Sequence, residues 1–139
     1  MAHAIAEGIP DEFKVQIKRV TETTNDDLLM SDGIIVGSPT YYGLMSGRVK
    51  TMFDKSVEIH GKLDGKVGAA FTSAGGTATG AETTLMSIIE ALLVHGIIVQ
   101  GRPHKKHYGA AAYLSPDEDE KKHCRDLGKR VADLLNRIN

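Results

Sequence analysis

Residues 38–46, Ser-Pro-Thr-Tyr-Tyr-Gly-Leu-Met-Ser, concentrate the side chains best suited to hold a ligand. Pro39 stiffens the backbone, Ser38 and Thr40 bring hydroxyls and exposed amides, Tyr41 or Tyr42 can stack on a ring, and Gly43 permits a close turn. Backbone donors beside an aromatic face suit a flat ligand, polar along one edge and apolar elsewhere. Standing alone, the same string reads as a strand-to-helix turn.

A second candidate is the run Ser73, Ala74, Gly75, Gly76, Thr77, Ala78, Thr79, Gly80. Its three glycines let backbone amides approach an anion or a ring edge at the start of a helix. It lacks the GK[ST] ending of a nucleotide P-loop, and no GxGxxG occurs anywhere in the chain, which argues against a dinucleotide-binding Rossmann fold. His104 and His107 form an HxxH, but Lys105 and Lys106 between them repel a cation and no carboxylate or thiol is adjacent, so no metal is assigned. His95 closes a helical pattern and reads as a cap, where the helix dipole favours a partly protonated imidazole. The acidic run at 117–122 reads as a solvated helix start. No side chain is singled out as a catalytic acid, base or nucleophile.

The elements that must position these loops follow from periodicity. Residues 33–37 and 66–72 are short apolar runs, read as buried parallel strands, and 97–101 reads as a further strand; residues 13–20 alternate apolar and polar and predict a half-covered edge strand. Residues 1–9 look like the tail of a helix. Thr24 with Asp27 caps a second, Ser46 a third running to about His60, and Ser115, Pro116 and Glu118 a last one. The helix at 82–95 is apolar over an arc too wide for a sheet alone, so its spare face is expected to meet another copy in a homo-oligomer. The expectation is one domain, 1–139, of doubly wound α/β architecture, with the ligand beyond the strands' carboxyl ends at loops 38–46, 73–81 and 102–109.

Composition narrows the function. Seventeen Lys and Arg against eighteen Asp and Glu leave no excess charge for nucleic acid or an anionic membrane. The single cysteine, Cys124, cannot form an internal disulfide and fits a reducing, cytoplasmic setting. No run approaches the ~20 apolar residues of a membrane span.

The run GSPTYYGLMSGRVKTMFD at 37–54, with FTSAGGTATGAE at 71–82 and HYGA at 107–110, resembles flavodoxin-like FMN proteins, including the tryptophan-repressor-binding-protein type of NAD(P)H:quinone oxidoreductase. The resemblance implies FMN as cofactor, held by Ser38, Pro39, Thr40, Tyr41, Tyr42, Gly43, Met45, Ser73, Ala74, Gly75, Gly76, Thr77 and Tyr108, with a redox partner protein or a quinone-like acceptor. Carrier and NAD(P)H-dependent reductase both stay open; the connection RPHKKH, much shorter than in the quinone reductases, favours the carrier slightly. The alternative from another class is a truncated, flavin-free α/β module acting through oligomerisation, or one with no independent function. Many relatives have Asn where Leu44 stands, leaving only its backbone N–H to serve the flavin, and some have Trp in place of Thr77. In the family a first strand and a phosphate-binding loop precede the helix at 1–9; neither is found here, so the sheet, of order 2-1-3-4-5, is expected to be N-terminally truncated, with a vacancy between 13–20 and 33–37. Segment 13–20 sliding in, a strand from another chain, or a sequence beginning at an internal Met would each account for it.

Overall fold

A computed structural model describes residues 1–138. Its centre is a pair of parallel strands, β1 (Gly33–Pro39) and β2 (Val67–Ala74), in register from Gly33 opposite Val67 to Pro39 opposite Ser73. Beyond β2 lie two short strands. β3 (Ile98–Val99) pairs with Val67 and Gly68, while β4 (Ala110–Tyr113) pairs with Phe71 to Ala74, so together they form one outer strand interrupted by loop 100–109.

Helices cover both faces, as near-continuously apolar strands require. On one side α2 (Asn25–Met30), α3 (Gly47–Lys55) and α4 (Ala81–Val94) bury Leu28, Val49, Leu85, Ile88 and Leu92 against Ile34, Val36, Ala70 and Ala74. On the other, α1 (Ala2–Glu7) and α5 (Glu118–Ile138) bury Ala4, Ile5, Cys124, Leu127 and Val131 against Val67, Ala69 and Ala110. Cys124 acts as a small hydrophobe, and burial pushes its thiol up. Two glycines let α1 and α5 touch backbone to backbone: a Cβ on Gly128 would fall 2.1 Å from the Ile5 carbonyl oxygen, and one on Gly8 onto that of Arg125.

Helix starts follow local chemistry. Thr24 and Asp27 form the expected capping box of α2, and Ser46 caps α3 by accepting from Val49 N–H. At α5 the expected cap moves. Asp117 accepts from Glu120 N–H at 2.8 Å and Glu120 accepts from Asp117 N–H at 3.0 Å, so the reciprocal pair is Asp117–Glu120 and not Ser115–Glu118. The third helix ends at Lys55 and tightens into a 3-10 turn, Ser56–Ile59.

The expected strand at 13–20 does not form. Residues 14–19 are exposed and assigned to no strand or helix, and Val20–Glu22 is a 3-10 turn. Lys18 anchors the segment by donating to both carboxylate oxygens of Asp27 at 2.7 Å, a contact that, with the Thr24 amide and hydroxyl, lowers the Asp27 pKa to about 2. Alternation put Phe13 into the core beside α5, but a strand also needs a neighbour, and among the described residues none pairs with the outer edge of β1. Because Asp32 O accepts from Val67 and Thr40 N donates to Ser73, even-numbered residues of β1 face β2. Gly33, Ile35 and Gly37 therefore turn their backbone groups to that open edge.

Candidate functional site

Loops 38–46 and 73–81 meet at the carboxyl end of β1 and β2. The first begins with buried hydroxyls that fix its path. Ser38 Oγ donates to Pro39 O at 2.7 Å and accepts from Ser46 N–H at 2.8 Å, which ties the two ends of the loop together. Thr72 Oγ1 donates to Ser38 O, so in its 2.9 Å pair with Thr40 Oγ1 it is Thr40 that donates. The Ser38 hydroxyl, expected to be on offer to a ligand, is spent inside the protein.

Between those ends the loop is a two-residue hairpin. Tyr41 and Leu44 exchange both N–H···O bonds at 3.1 Å, while Tyr42 (φ 51°) and Gly43 (φ 76°) take the left-handed conformations of a type I′ turn. The Leu44 N–H, expected to be free for a flavin, is thus occupied by Tyr41 O; so is Met45 N–H, which donates to Ser87 Oγ. Among the loop's amides, those of Tyr42 and Gly43 make no protein hydrogen bond, and the tyrosine rings beside them are open to solvent, Tyr41 61% and Tyr42 106% exposed.

The glycine loop leads into α4. Its amides at Gly75, Gly76, Thr77 and Ala78 make no hydrogen bond to the protein, and Ala78 (φ 54°) and Gly80 (φ 97°) twist the backbone into left-handed conformations of the kind that gather N–H groups into an anion-binding concavity. The two loops touch: a Cβ on Gly80 would come 2.7 Å from Gly43 Cα. Beside them opens a cleft of about 330 Å³ lined by Gly37, Ser38, Pro39, Phe71, Ser73, Leu114 and Pro116 together with Met1 and Ala2.

Other candidates lie elsewhere. Loop 102–109 interrupts the outer strand at its middle: Gly109 abuts Ala70, four residues or about 13 Å short of Ala74 at the carboxyl end, and Tyr108 beside it is half-exposed. The third carboxyl-end connection is residues 114–117, where Leu114 N donates to Ala74 O; no signal in the sequence marked Leu114 as a cleft residue. Loop 102–109 is itself fastened, His107 Nδ1 donating to Arg102 O at 2.7 Å and Lys106 Nζ to Ala111 O at 3.0 Å.

His95 ends α4 at the opposite, amino end of the sheet. It is buried, and because Ser56 Oγ already donates to Phe53 O, His95 Nε2–H must be the donor in the 2.8 Å Ser56 pair, leaving Nδ1 an acceptor with no partner. Burial, and then the neighbouring His60 charge, push its pKa down, against the partly protonated cap expected from the helix dipole. A depressed histidine pKa confers stability that is complete above the unfolded value of 6.5 and lost as pH falls through the folded one, at up to about 1.4 kcal/mol per pH unit. Urea denaturation at pH 7.5 and 5.5 is expected to show a steeper pH loss for the native chain than for His95→Gln; equal losses would refute this.

A parallel sheet wrapped on both faces, with amide-rich loops converging at its carboxyl edge, defines the flavodoxin-like class. Residues 6–105 match the NADPH-dependent FMN reductase family, and the chain belongs to it, which makes it an FMN-dependent redox protein. It is 40% identical to a flavodoxin of Aquifex aeolicus, over 97% of this chain and 78% of that protein, and 33% identical to an NAD(P)H dehydrogenase (quinone) of Archaeoglobus fulgidus, over 99% and 91%. Among solved structures, an archaeal flavodoxin superposes with a TM-score of 0.76 at 26% identity, covering 97% of this chain and 87% of that one. A flavodoxin, WrbA-like protein of Agrobacterium tumefaciens (TM-score 0.79, 24% identity, 99% and 88% covered) shares the fold.

Proposed function

We propose that the chain holds FMN across loops 38–46 and 73–81 and exchanges its electrons with a redox partner protein. The observation that carries this is the set of unpaired amides at Tyr42, Gly43 and Gly75 to Ala78 around exposed tyrosine faces, the donor and stacking groups that a ring with one polar edge demands. When bound, the flavin supplies the electron- and hydride-accepting ring; the protein binds, orients and tunes it. Pro39 and the Ser38 and Thr40 hydroxyls stiffen the platform, Tyr41 and Tyr42 shield a ring face, and Ser73, Ala74, Gly75, Gly76 and Thr77 present the second loop's backbone. The carrier role is supported by loop 102–109, which is short and fastened to its own sheet edge.

The second reading is an NAD(P)H-dependent reductase of quinone-like acceptors, favoured by the 33% identity to a protein so named. A single domain, a cytoplasmic location and a homo-oligomer complete the proposal; supporting the last, α4 leaves Leu93 and Val94 at 56% and 71% exposure. No described helix is long and apolar enough to cross a membrane.

The test is to mix the purified chain with riboflavin or FMN, remove free flavin by gel filtration, and record the visible spectrum. Retained absorbance is expected, bleached by dithionite; rapid bleaching by NADPH with quinone-dependent turnover would select the reductase. A colourless chain with both flavins would sink the assignment of these loops.

A further inference from the structure

We infer that Ser87 is a positioning residue for the flavin, setting the height at which the hairpin 41–44 stands over the first turn of α4. This rests on the FMN reading of the two loops. Ser87 lies on α4, seven residues beyond Gly80, outside both ligand loops. Its hydroxyl hydrogen is committed, since Oγ donates to Thr84 O at 2.7 Å, so its lone pairs face outward as acceptors. One of them takes the Met45 N–H at 3.0 Å. One turn nearer the helix start, Gly43 seats against Gly80 and the Thr83 hydroxyl, which itself donates to Gly80 O.

These two links, Gly43 on Gly80 and Met45 on Ser87, join the hairpin to the helix that the glycine loop enters. Whatever lies between the two sets of free amides sees a separation fixed by them. The bond also orients the peptide: with Met45 N–H turned toward α4 and Leu44 N–H closed on Tyr41 O, the donors left for a ligand are those of Tyr42 and Gly43. Without the Ser87 acceptor, Met45 N–H would have to find another partner and the hairpin would tilt to supply one.

The experiment compares the native chain with Ser87→Ala and Ser87→Thr, the latter keeping a hydroxyl that can bond back to Thr84 O. Flavin affinity, the visible spectrum and the midpoint potential of the saturated complex are measured, along with amide hydrogen exchange of the flavin-free chain. Ser87→Ala is expected to weaken flavin binding about tenfold, shift spectrum and potential, and speed exchange across 41–46, with the exchange of α4 unchanged. Ser87→Thr is expected to restore these properties. If Ser87→Ala lowers only the denaturation midpoint, leaving affinity, spectrum, potential and hairpin exchange as in the native chain, its role is merely structural and the inference is overturned. Native chain that takes up no flavin overturns the FMN reading, and this inference with it.

Discussion

Titrated with FMN and with riboflavin, residues 1–139 are expected to bind the two with dissociation constants within about threefold of each other. A phosphate held by three charge-assisted hydrogen bonds, at about 1.5 to 3 kcal/mol each, would instead separate them by roughly three to six powers of ten. The difference rests on what surrounds the cleft. Its lining from Gly37 through Pro116 contains no lysine or arginine, and the Ser38 hydroxyl within it is already bonded on both sides. Lys106 of the basic loop 102–109 does not substitute, because it is drawn to Ala111 O and stands over the Tyr113 ring at 5.5 Å. Of the amides that remain free, those of Gly75 to Ala78 and of the hairpin suit a ring edge, which both ligands carry equally, and those of Ala2 to Ala4 belong to the first turn of the short α1, which opens on the cleft at Met1 and Ala2. Quenching of flavin fluorescence reads both constants. FMN binding a hundredfold tighter than riboflavin would mean that a phosphate site exists, with the Gly75 to Ala78 concavity the first place to look.

The sequence carried most of the scaffold because its signals were local. The GIIVG run, the Thr24–Asp27 box and the periodicity of α4 each depend on residues within one turn or one strand, and each appears where expected. What failed depended on distant partners. Residues 13–20 have a strand's alternation, yet the hydrogen bonds that would make them a strand must come from a neighbour, and propensity cannot provide one. The opposite error occurred at Ala110–Tyr113. Three alanines carry no strand signal, yet they are buried and pair with Phe71 to Ser73, where the sheet lies beneath α5.

At the site, residue types were legible and their states were not. Tyrosines and glycines announced two ligand loops, whereas the occupancy of each donor emerged only with the hairpin closed. Leu44 N–H and Ser38 Oγ were read as available and are consumed, while Ser87, an unremarkable helix serine by sequence, holds the loop from outside it. His95 likewise reversed: dipole reasoning favours a charged imidazole, but burial, and then the neighbouring His60, push its pKa down.

The largest loss of stability is expected from Gly109→Ala. Gly109 sits where the interrupted outer strand resumes, with φ at 143°, a conformation L residues rarely adopt. A Cβ there would also fall 2.1 Å from the Ala70 carbonyl oxygen and 3.2 Å from Leu85 Cδ2. Ala70 is fully buried, paired with Val36 of β1, and lies in a strand held on its other side by β3 and β4, so it cannot withdraw without disturbing the sheet. Backbone strain costs about 1 to 3 kcal/mol and overpacking a similar amount, so the sum is roughly 2 to 6 kcal/mol against a typical total of about 5 to 15. Gly101→Ala is the control from the same loop: its φ is not left-handed and its Cβ would find nothing nearer than 3.8 Å, so a change within about 0.5 kcal/mol is expected. The consequence reaches the cleft, because β4 carries Tyr113 and then Leu114 to the carboxyl edge, where Leu114 N meets Ala74 O. Relaxing the clash by releasing β4 would therefore free Leu114 from the cleft wall. Urea denaturation of both variants, with amide exchange at Ala111 and Leu114, measures the two effects. A Gly109→Ala chain as stable as Gly101→Ala would mean that the outer strand restarts without the close approach to Ala70 on which this account depends.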